Sequence, residues 1–115
     1  MKMLWMIFAL SASHVYADAP TIENVVFADG SIHVTLRHPD SGWDHYADVW
    51  RVFDPEGQKL AERVLLHPHV DEQPFTRSAA IEIPGDVPFV TVVAACTDGD
   101  VSAEYRLTLD AEPDQ

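Results

Sequence analysis

The chain has little of several residue types, and each shortage excludes a class of protein. Cysteine occurs once, as Cys96, so no disulfide can form within the chain. After residue 17 there is no methionine, which excludes a copper(I) site with thioether ligands in that part. The apolar run over 3–12 is shorter than the roughly 20 residues that a membrane-spanning helix needs. Disulfide-stapled and helical membrane proteins are therefore not expected.

Positive charge is also scarce. Lysine and arginine together number 7 against 19 aspartates and glutamates, which gives a formal net charge of −12. Such a surface repels nucleic acid and anionic lipid, and it favours cations and basic partners. The chain has neither a glycine-rich phosphate loop nor a Gly-x-Ser-x-Gly elbow. The composition therefore predicts no nucleic-acid partner, and no motif indicates an enzyme.

The N-terminal segment has the pattern of a secretory signal. Lys2 precedes the apolar run, and Val15 and Ala17 stand three and one residues before the predicted cleavage site. We therefore predict a cleaved signal over 1–17, a periplasmic or secreted location, and no membrane span in the mature protein. The remaining residues 18–115 suit one small domain with a thin core.

Apolar and polar residues alternate along the mature chain, as they do in half-buried strands. Ile32, Val34 and Leu36 are one example, and turn signals such as Asp29-Gly30 separate the runs. The pattern predicts an all-β, immunoglobulin-like or fibronectin type III-like Greek-key sandwich with a frayed acidic tail over 110–115. We expect about seven strands, near 21–28, 31–38, 44–54, 58–66, 78–83, 87–97 and 102–110.

The predicted topology brings the loops after the second, fourth and sixth strands to one end of the sandwich. Those loops carry clustered histidines and carboxylates. Imidazole and carboxylate together suit copper(II), zinc or iron. The expected ligands are, in order of preference, His67 and His69, then His38 and His45, with Asp71 or Glu72 completing the set. The alternative is that these histidines are ordinary hydrogen-bonded loop residues.

A second hypothesis is a metal-free interaction module that meets a periplasmic protein partner. It would use Phe75, Arg77 and Trp43, residue types that are frequent in interface hot spots. The structural alternative is that Phe75 plugs the end of the core, that Arg77 pairs with Glu72 or Asp71, and that Trp43 covers the same end. Exposure of these side chains distinguishes the two interpretations.

The single cysteine ends an apolar run over 89–96. This run predicts a strand buried on both faces, in which a free thiol behaves as a small apolar group. A metal ligand and an intermolecular disulfide are the alternatives for Cys96.

Two resemblances add to this interpretation. His38-Pro39, His45-Tyr46, Trp50 and Cys96 resemble parts of the superoxide reductase (desulfoferrodoxin) pattern. That family is an immunoglobulin-like sandwich holding one iron through four histidines and one cysteine. The resemblance implies that His38 and His45 are equatorial ligands, that Cys96 is the axial thiolate, and that superoxide reduction is a further candidate function. Thr97-Asp98-Gly99 stands where that family has a further histidine.

The segment over 64–78, which reads VLLHPHVDEQPFTRS, resembles a stretch of small secreted bacterial proteins without an assigned function. This resemblance supports an exported single domain and implies no mechanism. Our leading hypothesis from the sequence is therefore a non-enzymatic, exported β-sandwich that binds a transition metal or a small ligand at one end.

Overall fold

The residues that the structure describes form seven strands and no helix. A computed structural model describes residues 19–109, so the predicted signal over 1–17 and the tail over 110–115 lie outside it. None of the described residues belongs to a helix able to cross a membrane. The strands are β1 (Thr21–Ala28), β2 (Ser31–Arg37), β3 (Ala47–Phe53), β4 (Lys59–Val64), β5 (Phe75–Ala80), β6 (Phe89–Cys96) and β7 (Tyr105–Thr108).

The strands make two antiparallel sheets, which confirms the predicted all-β sandwich. One sheet has the order β1-β2-β5 and the other has the order β4-β3-β6-β7. The core lies between them because each sheet buries alternate side chains. Ile32, Val34 and Leu36 of β2 are at most 1% exposed, and Trp50 of β3 is fully buried.

Among the predicted strands, β5 and β6 need the main corrections, and β7 (Tyr105–Thr108) is shorter than the expected 102–110. The fifth strand was expected over 78–83, but it begins at Phe75 because Leu36 of β2 pairs with Phe75. Strand β6 was expected to be buried on both faces, but its burial alternates. Val90, Val92 and the following even-numbered positions are buried, whereas the odd-numbered positions keep intermediate exposure because no layer covers that face fully.

Candidate metal centre

Three loops meet at one end of the sandwich: the β2–β3 loop (38–46), the β4–β5 loop (65–74) and the β6–β7 loop (97–104). The backbone N–H of Thr97 donates to the carbonyl of Tyr46 at 2.9 Å, which joins the third loop to the first. The N–H of His38 donates to Oε1 of Gln73 at 2.9 Å, which joins the first loop to the second. The convergence expected from strand order is therefore present.

His38, His45 and Cys96 form a cluster at this end. One potential ligand atom from each residue lies within 4.8 Å of the other two. The imidazole rings of His38 and His45 meet edge to face with their centroids 4.8 Å apart. His38 and Cys96 are 1% and 3% exposed, and His45 is half-buried. We call these three residues the His-His-Cys cluster.

Local structure explains how these three side chains come together. His38 directly follows β2, and Cys96 is the last residue of β6. His45 precedes β3 in a tight turn in which its N–H donates to the carbonyl of Gly42 at 3.1 Å. Gly42 has a φ of 147°, which L side chains rarely adopt, so the turn needs glycine there. The strand ends and this turn thus bring together residues far apart in sequence.

The thiol of Cys96 faces a carboxylate. It donates to Oδ1 of Asp98 at 2.7 Å, and its Sγ lies 4.0 Å from Nε2 of His45. Oδ2 of Asp98 is 3.3 Å from the same Nε2. Burial, followed by the hydrogen bond to Asp98, raises the pKa of Cys96 to about 11. The thiol's hydrogen bond in turn lowers the pKa of Asp98.

The raised pKa gives a pH-dependent prediction for the metal-free protein. Only the thiolate is nucleophilic, so iodoacetamide should label native Cys96 slowly at neutral pH. The rate should rise about tenfold per pH unit until the pH approaches the pKa of about 11. The measurement compares labelling rates in buffer and in urea by mass spectrometry. Equal rates in the two conditions at neutral pH would contradict the prediction.

His38 is held by a buried carboxylate. Its Nδ1 lies 2.5 Å from Oδ1 of Asp40, and both side chains are fully buried. Oδ1 also accepts the N–H of Ala47 at 2.9 Å, at the start of β3. A carboxylate only accepts hydrogen bonds, so Nδ1 of His38 carries a proton. In the neutral ring, Nε2 is then the nitrogen with the lone pair that a metal requires.

The pair of histidines that we ranked first has different partners. The rings of His67 and His69 are 4.6 Å apart, but His67 is exposed and its Nδ1 lies 3.0 Å from the carbonyl oxygen of Pro68. His69 is 4% exposed, and its Nε2 lies 2.9 Å from Nη2 of Arg77. Arginine only donates, so Nε2 accepts and the proton of the neutral ring is on Nδ1. Burial, and next the charge of Arg77, lowers the pKa of His69.

Within residues 19–109, neither His67 nor His69 belongs to a group of three or more potential metal ligands. Asp71 and Glu72 are exposed, and Oε1 of Glu72 is 3.5 Å from Nη2 of Arg77. The expected ion pair between Glu72 and Arg77 is therefore present. The ligand set that the sequence ranked first, His67 and His69 with Asp71 or Glu72, therefore stays a prediction, and these residues do not have the geometry of a metal site.

Two expectations about aromatic residues need correction. Phe75 was predicted to contact a protein partner, but it is 3% exposed and lies in the core. Its ring stacks on that of His69 with centroids 3.8 Å apart. Trp43 was expected to cover the end of the core as an alternative, but it is 68% exposed and contacts Tyr46 edge to face. Phe75 is buried because β5 starts at it, and Trp43 projects from the turn outside the sheets. Only Trp43 of this pair remains available to a partner.

Sequence reasoning missed the roles of two carboxylates, Asp40 and Asp98. Asp40 follows His38 by two residues, and Asp98 follows Cys96 by two residues. An acidic residue two positions after a candidate ligand at a strand end was the available signal. It is weak, because Asp is common in turns for local backbone reasons.

The chain was compared with known proteins. No protein-family model matches it. A protein named "Putative lipoprotein" from Halomicrobium mukohataei is 49% identical over 59 residues, which are 51% of this chain. The chain spans only 29% of the length of that relative.

A solved structure, the superoxide reductase (1Fe-SOR) from Giardia intestinalis, superposes with a TM-score of 0.58 at 15% sequence identity. The match covers 80% of this chain and 99% of that protein. The resemblance to superoxide reductase that the sequence predicted is therefore confirmed at the level of the fold. At this identity the likeness does not extend to the activity.

The donor set of the His-His-Cys cluster fits a transition metal. Imidazole and thiolate are borderline and soft donors, which zinc, copper and iron prefer to the all-oxygen sets of calcium and magnesium. Asp98 adds a carboxylate beside two of the three donors. Cys96 would bind as the thiolate, so loading should release a proton, and the affinity should rise with pH.

Proposed function

We propose that this protein binds one transition-metal ion through His38, His45 and Cys96 at the loop end of the sandwich. The observation that carries the proposal is the proximity of the three donor atoms, all within 4.8 Å of one another. Burial of His38 and Cys96 supports it, because water screens the attraction between ligand atoms and a cation less strongly at a buried site. Zinc, copper(II) and iron are the candidate ions.

The proposed ligand set replaces the one that the sequence favoured. Nε2 of His69 contacts Nη2 of Arg77 at 2.9 Å, so coordination through that nitrogen would cost this contact. Nε2 of His45 lies 4.0 Å from Sγ of Cys96, so these two donors already face each other. Asp98 is an additional donor beside Cys96 and His45, and four-coordinate sites with nitrogen, sulfur and oxygen ligands are usual for zinc.

An extracytoplasmic location is part of the proposal. The relative from Halomicrobium mukohataei carries a lipoprotein name, and lipoproteins are attached to membranes through lipid. The signal pattern over 1–17 predicts export independently. An exported metal-binding domain could store, carry or use the ion.

The proposal predicts which histidines matter. The double variant His38→Ala/His45→Ala should weaken cobalt(II) or zinc binding at least about 100-fold. Loss of a residue that only orients a ligand typically lowers metal affinity by about 10–100-fold, and loss of the ligands themselves should lower it at least as much. The matched control is His67→Ala/His69→Ala, which removes two histidines of the same end and should retain stoichiometric binding. Elemental analysis of untagged protein and calorimetric titration measure both.

Two results would contradict this function. Wild-type protein that binds none of zinc, copper and iron would remove it and favour the interaction module, with Trp43 as its exposed aromatic residue. Binding lost in the His67/His69 variant and kept in the His38/His45 variant would return the site to the other loop. Circular dichroism of each variant confirms that the sandwich has folded.

A second candidate function is superoxide reduction at iron. The specific observation in its favour is that His38, His45 and Cys96, which the resemblance implied as ligands, lie in one cluster on a sandwich of the superoxide reductase fold. Two histidines in the cluster are fewer than the four that the resemblance implied. Iron-loaded protein that consumes superoxide with a supplied reductant would support this function, and rates equal to those of Cys96→Ser would eliminate it.

A further inference from the structure

The β2–β3 loop contains a carboxylate that is completely shielded from water. The side chain of Asp40 has 0% exposure, and the whole residue is 6% exposed. A buried carboxylate is costly unless hydrogen bonds satisfy its oxygens. Both oxygens of Asp40 are satisfied, and their partners belong to two different parts of the loop end.

Oδ1 of Asp40 serves the His-His-Cys cluster. It lies 2.5 Å from Nδ1 of His38, and it accepts the N–H of Ala47 at 2.9 Å. Ala47 pairs with Cys96 across the sheet, so the second of these bonds anchors the strand beside the thiol. Oδ1 therefore contacts one proposed ligand directly and supports the backbone opposite another.

Oδ2 of Asp40 serves the β4–β5 loop. It accepts the N–H of His69 at 2.7 Å, and it lies 3.8 Å from Nδ1 of the same residue. That Nδ1 is buried and has no hydrogen-bond partner among residues 19–109. The ring of His69 also stacks on Phe75, and its Nε2 contacts Nη2 of Arg77. One carboxylate thus joins the proposed ligand His38 to a residue of a neighbouring loop.

We propose that Asp40 is the positioning residue of the centre, which keeps the proton of His38 on Nδ1 and couples the β4–β5 loop to the ligand ring through His69. The inference rests on the proposed function. A carboxylate that fixes the ring tautomer of a ligand usually contributes 10–100-fold in metal affinity. The coupling means that ordering His38 by metal should also order the amide of His69.

Asp40→Asn is the direct test, and Asp44→Asn is its matched control. Asp44 is an exposed aspartate of the same loop whose side chain lies outside the cluster. Asparagine can donate to Nδ1 as well as accept from it, so Asp40→Asn removes the constraint on the tautomer. We expect cobalt(II) affinity to fall about 10–100-fold in Asp40→Asn and to stay at the wild-type value in Asp44→Asn.

Nuclear magnetic resonance provides two measurements that would not change in Asp40→Asn if Asp40 had only a structural role. In the metal-free wild type, the imidazole nitrogens of His38 should show the Nδ1–H tautomer, and in Asp40→Asn they should show a mixture. Cobalt is paramagnetic, so zinc is the ion for hydrogen exchange. Zinc should slow exchange of the His69 amide in the wild type and leave it nearly unchanged in Asp40→Asn.

The possible outcomes separate this inference from the proposed function. If the wild type binds none of cobalt, zinc, copper and iron, both proposals fail together. If the wild type binds and Asp40→Asn binds equally well with the same His38 tautomer, only the role of Asp40 fails. An Nε2–H tautomer in the wild type overturns the inference without any variant, which covers the case in which Asp40→Asn does not fold.

Discussion

Replacing Cys96 with serine should reduce transition-metal affinity by at least about 100-fold, more than the loss of a residue that only orients a ligand. The thiolate is the softest donor of the cluster and the one that carries a charge, and a hydroxyl is a poor ligand for zinc or copper. The absorption band of a cobalt–thiolate complex should disappear at the same time. Titration with cobalt(II), followed by absorbance and calorimetry, measures both effects.

The fold should survive this substitution. Serine is nearly the same size, and its hydroxyl can donate to Asp98 as the thiol does. Ser102→Ala in the same loop is the control, because its hydroxyl accepts the N–H of Ala94 and lies outside the His-His-Cys cluster. Cobalt affinity within about threefold of wild type in Cys96→Ser would show that sulfur is not a ligand.

Replacing Trp50 with alanine should destabilise the protein by about 3–5 kcal/mol, the range for deleting a large buried aromatic side chain. Trp50 is fully buried in β3 and pairs with Arg63 on one side and Ala94 on the other. Its indole nitrogen has no hydrogen-bond partner in the described part of the chain, so the cost comes from the cavity and the lost apolar contact. The total free energy of unfolding of a native protein is about 5–15 kcal/mol, so this loss is a large part of it.

Trp43→Ala is the matched control for this prediction, because it removes the same side chain from a position that is 68% exposed. Its effect should lie within about 0.5 kcal/mol, as is usual for surface substitutions. Urea unfolding followed by circular dichroism compares the two variants. Equal shifts of the unfolding midpoint in the two variants would contradict the prediction that the buried Trp50 contributes more to stability than the exposed Trp43.

Local patterns predicted most strands because alternating burial leaves a period of two in the sequence. The hairpin of β1 and β2 is the clearest case, since burial alternates along β2 and Asp29-Gly30 forms the turn before it. The start of β5 could not be found in this way. Phe75 follows a proline and lacks an alternating neighbourhood, and its strand position depends on pairing with Leu36 of a distant strand.

The candidate site was predictable in location and only partly in composition. Strand order was enough to bring the three loops to one end, and it placed His38 and His45 there. The choice between histidine pairs depended on partners that are remote in sequence. His67 and His69 looked suitable because one residue separates them. Arg77 contacts the ring of His69, and within residues 19–109 neither histidine belongs to a group of three potential ligands.

The sequence by itself determined the fold class, the loop end that carries the histidines, the acidic surface and the predicted export signal, because each depends on composition or on the order of local patterns. Only the tertiary structure decided which side chains form the centre. Asp40 contacts His38 and His69 together, and Asp98 faces both Cys96 and His45. Such contacts arise from the packing of loops onto one another, and packing depends on distances in space that neither spacing nor periodicity in the chain encodes.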